Sequence, residues 1–307
     1  MKIKLYLLSG LLLASSYLAA QGCSDAGFCS LEALKSQNTI ADTTRLNAIS
    51  VGIGYGKGFQ ETHTINPYIE YSRRIGHHYS IQAKLTGMYA TGFLGQNTGL
   101  GDLFLFGSRV FKMKAQKKLT VVGGVKIPLN QSDKSLNGSV LPYDYQTSIG
   151  TYDVILGASF SINNRWEFNT GIQVPVIQEG KNTFFNDYST DARIAAFAST
   201  NKLHRQSDVL LRAGYLFRFP TIGLGLKPNL LAIYHLGKDT YVDRLGTRRD
   251  IAGSDGLTLN AGLVTTYTFK NKSQLELVLA TPLIFRDVRP DGLTRSAVAN
   301  IQYRFPF

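Results

Sequence analysis

Histidines, with the acids and hydroxyls near them, are the residues of this chain best suited to chemistry. His204 and His235, with Ser207 close to the first, are residue types that a Ser–His–acid set for lipid hydrolysis would use. Nothing in their spacing demands that set, because a triad is defined by geometry rather than by sequence distance. The Asp-rich stretches lack the spacing of a calcium loop, and no phosphate loop, metal-ligand cluster or nucleotide fingerprint is present. The sequence therefore predicts no catalytic residue, no metal and no cofactor.

Twelve charged side chains form a second group, because each alternates with apolar neighbours along an extended stretch. Inside a closed sheet, charges of both signs either pair with one another or line a wet passage. We expect pairing to account for most of them, and the basic excess favours anions if a passage is open. The predicted interior residues are Glu70, Arg74, Lys84, Lys126, Asp153, Glu167, Asp208, Arg212, Arg218, Lys227, Glu276 and Arg304.

The elements that would position these residues are strands, since apolar and polar residues alternate with a period of two along most of the chain. In the stretch YSIQAKLTGMY, Tyr79 and Ile81 share one face, and Gln82 and Lys84 share the other. Residues 101–111 are apolar on both faces, so their facing stays open. The predicted strands cover residues 46–56, 65–74, 78–89, 101–111, 117–129, 150–162, 165–177, 208–219, 222–235, 257–269, 273–285 and 293–305.

Strand length and loop length both point to a membrane. The runs exceed the roughly 5 to 6 residues of a globular strand and suffice for the roughly 9 to 11 of a tilted bilayer crossing. Connections after even-numbered strands are short and those after odd-numbered strands are generally longer, with extended ones at 130–148, 178–207 and 236–256. Transmembrane barrels sort their loops in this way, with tight turns periplasmic and long loops extracellular. We therefore predict an all-β fold, an antiparallel up-and-down transmembrane β-barrel of twelve strands in a Gram-negative outer membrane, with both termini periplasmic.

The N-terminal residues have the pattern of a secretory leader. Basic residues, an apolar stretch and small residues follow one another in MKIKLYLLSGLLLASSYLAA, so residues 1–20 are predicted to be a signal peptide. Residues 21–45 would be a periplasmic lead and residues 46–307 the barrel. Cys23 and Cys29 in the lead are expected to form a local disulfide in an oxidising compartment, with lipidation of Cys23 as the alternative.

The charge balance is strongly basic, at +12. Removing Lys2 and Lys4 with the leader lowers +12 by 2, to +10. A cytoplasmic protein with this balance would be expected to bind nucleic acid, but export excludes that partner. Anionic outer-membrane lipids or anionic solutes remain, beside the simpler explanation that basic residues solvate loops.

The final alternating stretch, TRSAVANIQYRFPF, places its apolar residues on one face and ends at the aromatic Phe307. An aromatic residue at the end of a last amphipathic strand resembles the signal by which outer-membrane barrels are recognised by their assembly machinery. That machinery is therefore an expected partner, through Phe307.

Two consecutive stretches resemble a known group of proteins. TGLGDLFLFGSRVF at 98–111 and VVGGVKIPL at 121–129 are similar to the Gly-Leu-Gly-Asp strand and the proline-ended next strand of bacterial outer-membrane barrels grouped with the phenol-degradation meta-pathway channels. These are broadly like the hydrophobic-solute transporters. The resemblance covers these two strands well, and the rest of the chain shares only the alternation of apolar and polar residues. It implies passive transport and supplies no residue as a substrate contact.

Four prolines, Pro128, Pro175, Pro228 and Pro282, fall on predicted strands. Proline cannot donate to a ladder, so a closed barrel confines it to strand ends and bulges. The simpler interpretation is that these residues mark where pairing stops. The alternative is a row of kinks that opens the wall sideways to apolar solutes.

These patterns predict a passive outer-membrane channel or transporter for a small solute, apolar or anionic, without enzymatic activity. A non-conducting barrel that displays loops for adhesion, or that serves an envelope or secretion complex, is the alternative from another class. A lipid-modifying barrel enzyme is the third. Phe184, Phe185 and Tyr188 in a long loop either contact a partner or fold inward and narrow the mouth.

Overall fold

The computed structural model describes residues 45–187, 190–292 and 295–307. The predicted leader, residues 21–44 of the predicted lead with Cys23 and Cys29, and Tyr188 lie outside the described residues. Twelve strands pair in sequence order, each antiparallel to the next, and the last pairs with the first, so the predicted closed twelve-strand antiparallel barrel is confirmed. The strands are β1 Asn47–Gly58, β2 His63–Ile75, β3 Tyr79–Gly92, β4 Gly95–Met113, β5 Lys117–Pro128, β6 Thr151–Ile162, β7 Trp166–Gln178, β8 Asp208–Tyr215 with Phe217–Phe219, β9 Leu224–His235, β10 Gly256–Thr268, β11 Gln274–Ile284 and β12 Arg295–Pro306.

Each strand has one face toward the interior and one toward the outside, as a period of two requires. In β1, Ser50 is buried while Val51 and Ile53 are about half exposed, at 57% and 47%. The outer wall is rich in β-branched and aromatic side chains, which favour extended backbone. The barrel therefore has an apolar exterior and a mixed interior.

The two ends of the barrel differ in their connections. The short-turn end carries turns at 76–78, 114–116, 163–165, 220–223 and 269–273, of which 220–222 is the 3-10 helix Pro220–Ile222. The long-loop end carries the connections 59–62, 93–94, 129–150, 179–207, 236–255 and 285–294. Its loops contain the 3-10 helices Phe59–Glu61 and Tyr143–Tyr145, the short helix α1 Ala192–Ala195, and two hairpins, Ser135–Leu136 with Ser139–Val140 and Thr240–Val242 with Arg248–Asp250. Within the described residues, no helix has the length and apolar character to cross a bilayer.

The predicted connection between the third and fourth strands is wrong. Residues 90–100 continue the pairing of β3 with β4 up to Gly92 opposite Gly95, so the loop shrinks to a two-residue turn. The extension is stabilised by a neighbouring loop, since the Asn97 side chain donates to the Tyr145 carbonyl at 2.7 Å. Local alternation could not predict this extended pairing, because the contacts that stabilise it come from residues far away in the sequence.

A bulge explains the facing of β4. Gly101 and Asp102 together oppose Thr86, whose hydroxyl accepts from the Asp102 N–H at 2.8 Å and donates to the Asp102 carbonyl at 3.0 Å. The extra residue shifts the alternation, and beyond it Phe104 and Phe106 are buried inside the barrel. The Gly-Leu-Gly-Asp motif is therefore the place where the facing of this strand is set.

The four strand prolines lie where pairing is irregular or interrupted. Register shifts occur at Pro175 and Pro282, and Pro128 ends β5. Pro228 is inside β9, and the break in β8 between its two segments lies opposite it, because proline lacks the N–H that the ladder needs. Only Pro128 lies where pairing stops, since the ladders continue past Pro175, Pro228 and Pro282 and run around the whole barrel without a gap in the wall.

Candidate functional site

The barrel interior is divided into an apolar half and a polar half. Inward side chains of β4, β5, β6, β8 and β9 form a dry cluster, in which every member is at most 4% exposed. The cluster consists of Phe104, Phe106, Val122, Ile155, Leu210 and Leu231. Packed apolar side chains exclude water, so this half of the interior acts as a wall.

The polar half contains a small cavity of about 50 Å³. Its sides come from β2, β3, β4 and β12, and its lining is rich in amide, hydroxyl and charged groups. The polar lining residues include Asn66, Tyr68, Lys84, Thr86, Asp102, Gln146, Thr147, Ser148 and Asn300. A space of this size and polarity suits water or a very small hydrophilic group.

Tyr68 forms the floor of the cavity, on the side of the short-turn end. Its hydroxyl lies 3.1 Å from Oδ1 of Asn300 and 2.8 Å from Oε1 of Gln302, and the Lys84 ammonium lies 4.0 Å from its ring centroid. Gly52 makes room for the ring, because a Cβ there would overlap the tyrosine. One aromatic side chain from β2 thus spans the polar half toward β12.

An inserted segment, residues 141–148, forms the roof of the cavity. It belongs to the loop between β5 and β6, and all eight of its residues are buried. The Ser148 hydroxyl donates to Asp102 Oδ1 at 2.6 Å, and the Thr147 hydroxyl donates to the Leu100 carbonyl at 2.8 Å. These are hydrogen bonds between a loop and the barrel wall, so the roof is not part of the sheet.

Burial affects the two tyrosines of the inserted segment. Burial raises the pKa of Tyr143 to about 12, against a smaller opposing effect of its hydrogen bond with Ser132. Burial also raises the pKa of Tyr145, whose hydroxyl accepts from the Leu94 N–H at 3.4 Å. Both phenols are therefore neutral hydrogen-bonding groups at physiological pH, and the roof holds no charge from them.

A small core of loop residues packs over the inserted segment. Tyr145, Phe184 and Phe197 are buried together with Met88 and Ala90 at the ends of the wall strands. Phe184 thus folds inward, the second of the two outcomes expected for it, whereas Phe185 stacks under the Arg244 guanidinium at 4.1 Å. We refer to the packed loops 129–150, 179–207, 236–255 and 285–294 as the cap.

Two ion pairs lie inside the barrel, one between the adjacent strands β5 and β6 and one between β7 and β9. The Lys126 ammonium lies 2.9 Å from Asp153 Oδ2 and donates to the Thr151 hydroxyl at 2.8 Å, with both charged side chains at most 1% exposed. The Lys227 ammonium donates to Glu167 at 3.1 Å, nearer the short-turn end. Burying one charge without its partner is costly in folding free energy. Removing either partner alone is therefore expected to destabilise the protein more than removing both.

A third group of charges joins the cap to the rim of the barrel, and we call it the loop latch. It contains three cations and three carboxylates, so its formal charges balance when the histidine is protonated. All six are at most 8% exposed. The members of the loop latch are Arg205, Asp208, His235, Asp239, Arg286 and Asp291.

Arginines connect the loops within the latch. Arg205 donates from Nη2 to Asp208 on the rim of β8 and from Nε to Asp291 at 3.3 Å. Arg286 donates to the same Asp291 oxygen at 3.3 Å and to the Ser254 carbonyl at 2.5 Å. The neighbouring carboxylates raise the pKa of Arg205 against the opposing effect of burial. Three loops are therefore held together through Asp291 and its two arginines.

His235 completes the latch and removes one catalytic hypothesis. Its Nδ1 lies 2.6 Å from Asp208 Oδ1 and its Nε2 lies 2.8 Å from Asp239 Oδ1. Both ring nitrogens are thus occupied by hydrogen bonds to carboxylate oxygens, so neither is placed to act as a base toward a serine. The other candidate, His204, contacts the amide of Gln178 at 3.4 Å rather than the Ser207 hydroxyl. The Ser–His–acid arrangement is thus not assembled among the described residues.

The twelve charged residues predicted to face the interior lie at different heights along the barrel. Asp208 is part of the loop latch, Lys84 lines the cavity, and the two ion pairs account for four more. Glu70 is buried opposite Lys84 in the pairing of β2 with β3. The remaining five lie on interior positions nearer the short-turn end: Arg74, Arg212, Arg218, Glu276 and Arg304.

Several important residues were not predicted from the sequence. Arg205, Asp239, Arg286 and Asp291 lie in loops, where no periodicity indicates facing. Tyr68 does alternate inward on β2, and its position opposite small residues of β1 is a signal that could have identified it. Within the described part of the chain, no group of three or more His, Asp or Glu side chains could hold a metal ion.

Comparisons with known proteins agree with this geometry at the level of the fold. No protein-family model matches the chain, and no curated protein matches it. The crystal structure of an outer membrane channel from Pseudomonas putida F1 has 13% identity and a TM-score of 0.57, over 86% of this chain and 96% of that one. The NanC porin has 9% identity and a TM-score of 0.47, over 84% of this chain and 98% of that one. The chain therefore has the fold of an outer-membrane β-barrel, and its resemblance to the phenol-degradation group stays a prediction.

Proposed function

We propose that this protein is a passive outer-membrane channel for small hydrophilic solutes, seen here in a closed state. One observation carries the proposal: a polar cavity inside the barrel is closed toward the long-loop end by a loop segment rather than by the sheet. A segment held to the wall by hydrogen bonds and loop packing can move without breaking the barrel. Its displacement would join the cavity to the outside.

The placement of the barrel follows from general properties of such proteins. Outer-membrane barrels keep short turns in the periplasm and long loops outside. The cap would then face the environment, and Phe307, which pairs with Asn47 through two backbone hydrogen bonds of 2.8 and 3.0 Å, would lie at the periplasmic end. Recognition of Phe307 by the assembly machinery belongs to the same proposal.

The lining of the cavity favours polar over apolar solutes. Lys84, Asp102 and Asn300 contribute charged or amide groups to it, and a buried polar group is stable only when it is hydrogen-bonded. An apolar solute would leave these groups without partners, whereas a small polar or anionic solute would replace water. This supports the hydrophilic part of the expected solute range.

Conductance measurements test the proposal directly. A variant in which residues 137–147 are replaced by a short Gly-Ser linker should give stepwise currents in planar bilayers, while the unaltered protein gives rare or small ones. The matched control replaces residues 243–247 at the tip of the other loop hairpin, which lies on the exposed side of the cap. If the folded linker variant stays as silent as the control, the channel proposal is wrong.

A second function, a non-conducting barrel that presents its loops to a partner, is favoured by the filled interior. The apolar cluster and the cap fill part of the interior, and the polar cavity beside them is small, at about 50 Å³. In that case the linker variant would be silent, and the unaltered barrel would co-purify with a defined envelope component.

A further inference from the structure

A groove on the outer wall of the barrel interrupts an otherwise bulky apolar surface. Gly107 on β4 and Gly123 on β5 are directly opposite each other and face outward. A Cβ on Gly107 would meet nothing within 4 Å, and one on Gly123 would meet only Leu156, at 3.5 Å. Two paired glycines on neighbouring strands therefore leave a notch one side chain deep.

The groove has a volume of about 530 Å³ and lies toward the short-turn end of β2–β5. Its walls are apolar or aromatic side chains that face the membrane. The lining residues that shape it are Ile75, Tyr79, Ile81, Phe111 and Val121. A hydrocarbon chain fits such a notch, because it regains the dispersion contacts that the missing side chains leave open.

A cation stands at one edge of the groove. The Arg109 guanidinium carbon lies 5.3 Å from the Tyr79 ring centroid and 4.7 Å from that of Phe111. Among the described residues, no carboxylate forms an ion pair with Arg109. The two rings hold the guanidinium in place by cation–π attraction while its N–H groups stay available to an acceptor.

The charge of this wall is of one sign. On the outward positions of β2 to β5, the charged side chains among the described residues are Arg73, Arg109 and Lys117, and none is acidic. Elsewhere on the described wall, Lys57 is paired with Glu61 at 2.7 Å. Aromatic residues on the opposite side contact each other instead, as Tyr267 and Phe269 do at 4.8 Å between ring centroids. The combination of a notch and a basic edge is thus a local feature rather than a property of the whole aromatic belt.

We propose that this groove binds one anionic phospholipid of the membrane leaflet at the short-turn end. One acyl chain lies over Gly107 and Gly123, and the phosphodiester accepts hydrogen bonds from Arg109. The inference needs the barrel to lie in a lipid bilayer and does not depend on whether its lumen conducts. The bound lipid would be selected by charge, since the Arg109 guanidinium is cationic and no carboxylate lines the groove.

The test measures phospholipid retained by the detergent-purified full chain, using native mass spectrometry after exchange with phosphatidylglycerol or with zwitterionic phosphatidylethanolamine. The unaltered protein should retain one phosphatidylglycerol in preference to phosphatidylethanolamine. Arg109→Gln should reduce that preference about fivefold, the loss expected for one cation near a charged headgroup. Gly107→Leu with Gly123→Leu should lower retention of both lipids, because it fills the notch.

Ala261→Leu is the matched control, since it adds the same side chain to an outward position of β10 outside the groove. Heat-modifiable migration on gels verifies that each variant is folded, and Arg109→Gln remains informative if the double leucine variant fails to fold. The proposal is overturned if Arg109→Gln keeps the full preference for phosphatidylglycerol. It is also overturned if Ala261→Leu loses as much lipid as the glycine variant does.

Discussion

Asp291 offers the sharpest test of the proposed closed state. Its carboxylate is fully buried and accepts from Arg205 and Arg286, both at 3.3 Å. All three residues belong to loops, so Asp291→Asn weakens the attachment of the cap without touching a barrel ladder. The prediction therefore concerns opening of the cap rather than unfolding of the barrel.

The magnitude follows from the burial of the charges. Removing one partner of a buried ion pair costs about 3 to 5 kcal/mol. We take about 3 kcal/mol, because both contacts are long and each arginine keeps another acceptor, Asp208 or the Ser254 carbonyl. Since about 1.4 kcal/mol corresponds to a factor of ten, the ratio of open to closed cap should rise by about two powers of ten.

Single-channel recording in planar bilayers measures this ratio as an open probability. Asp187→Asn is the matched control, because Asp187 pairs with Arg244 at 2.7 Å on the exposed side of the cap. An exposed pair contributes about 0 to 1 kcal/mol, so the control should change the open probability less than about fivefold. Arg286→Gln removes the other partner of the same buried ion pair and should raise the open probability about as much as Asp291→Asn does.

The reasoning is refuted if Asp291→Asn and Asp187→Asn have equal effects. It is also refuted if Asp291→Asn lowers the open probability. Thermal loss of heat-modifiable migration should be similar in all three variants, since the barrel ladders are unchanged.

Three further predictions concern other levels of the molecule. Tyr68→Ala should increase single-channel conductance, because the ring forms the floor of the cavity and Gly52 beside it leaves the space empty. Lys126→Met and Asp153→Asn should each reduce the free energy of unfolding by about 3 to 5 kcal/mol. The double variant should lose much less than the sum of the two, because the second change removes the charge left unpaired by the first. Urea titration followed by the fluorescence of the single tryptophan measures these changes. The hydrogen bond from Arg249 lowers the pKa of Asp243, which lies in the hairpin of Thr240–Val242 with Arg248–Asp250. This hairpin should therefore stay ordered at neutral pH and lose its order only as the pH falls below the ordinary aspartate range. NMR titration of the hairpin amides in micelles would measure this transition.

Tyr71→Ala, an outward change on the same strand as Tyr68, should leave conductance unaltered, and equal effects of the two would contradict the assignment of the floor. Additive effects of Lys126→Met and Asp153→Asn would show that the two charges are not coupled. A hairpin transition above the ordinary aspartate range would mean that another group controls it.

The inward and outward faces of most strands could be predicted from the sequence. A strand turns its side chains to alternate sides, so a charge such as Lys84 or Glu167 between apolar neighbours has its facing fixed by position alone. The same alternation places Trp166 and Tyr303 outside, with exposures of 48% and 42%. Twelve such runs with sorted loops were enough to predict the closed barrel.

The inward and outward faces of β4 could not be predicted from alternation, because both faces of this strand are apolar. The bulge at Gly101 and Asp102 decides it, through two hydrogen bonds to Thr86 on the adjacent strand. A bulge adds one residue to one strand, and whether it forms depends on the partner strand rather than on local pattern. Burial of Phe104 and Phe106, and with it the apolar half of the interior, was therefore decided by pairing.

The cap and the loop latch were decided by the tertiary structure alone. Arg205 and Asp291 are 86 positions apart and meet only because the closed barrel brings the ends of β7, β8, β11 and β12 to one rim. Loops have no repeating geometry from which a side chain's direction can be inferred, whereas strands do. The sequence by itself thus determined which residues face water or lipid along the wall, and the closure of the sheet determined which loop charges became partners.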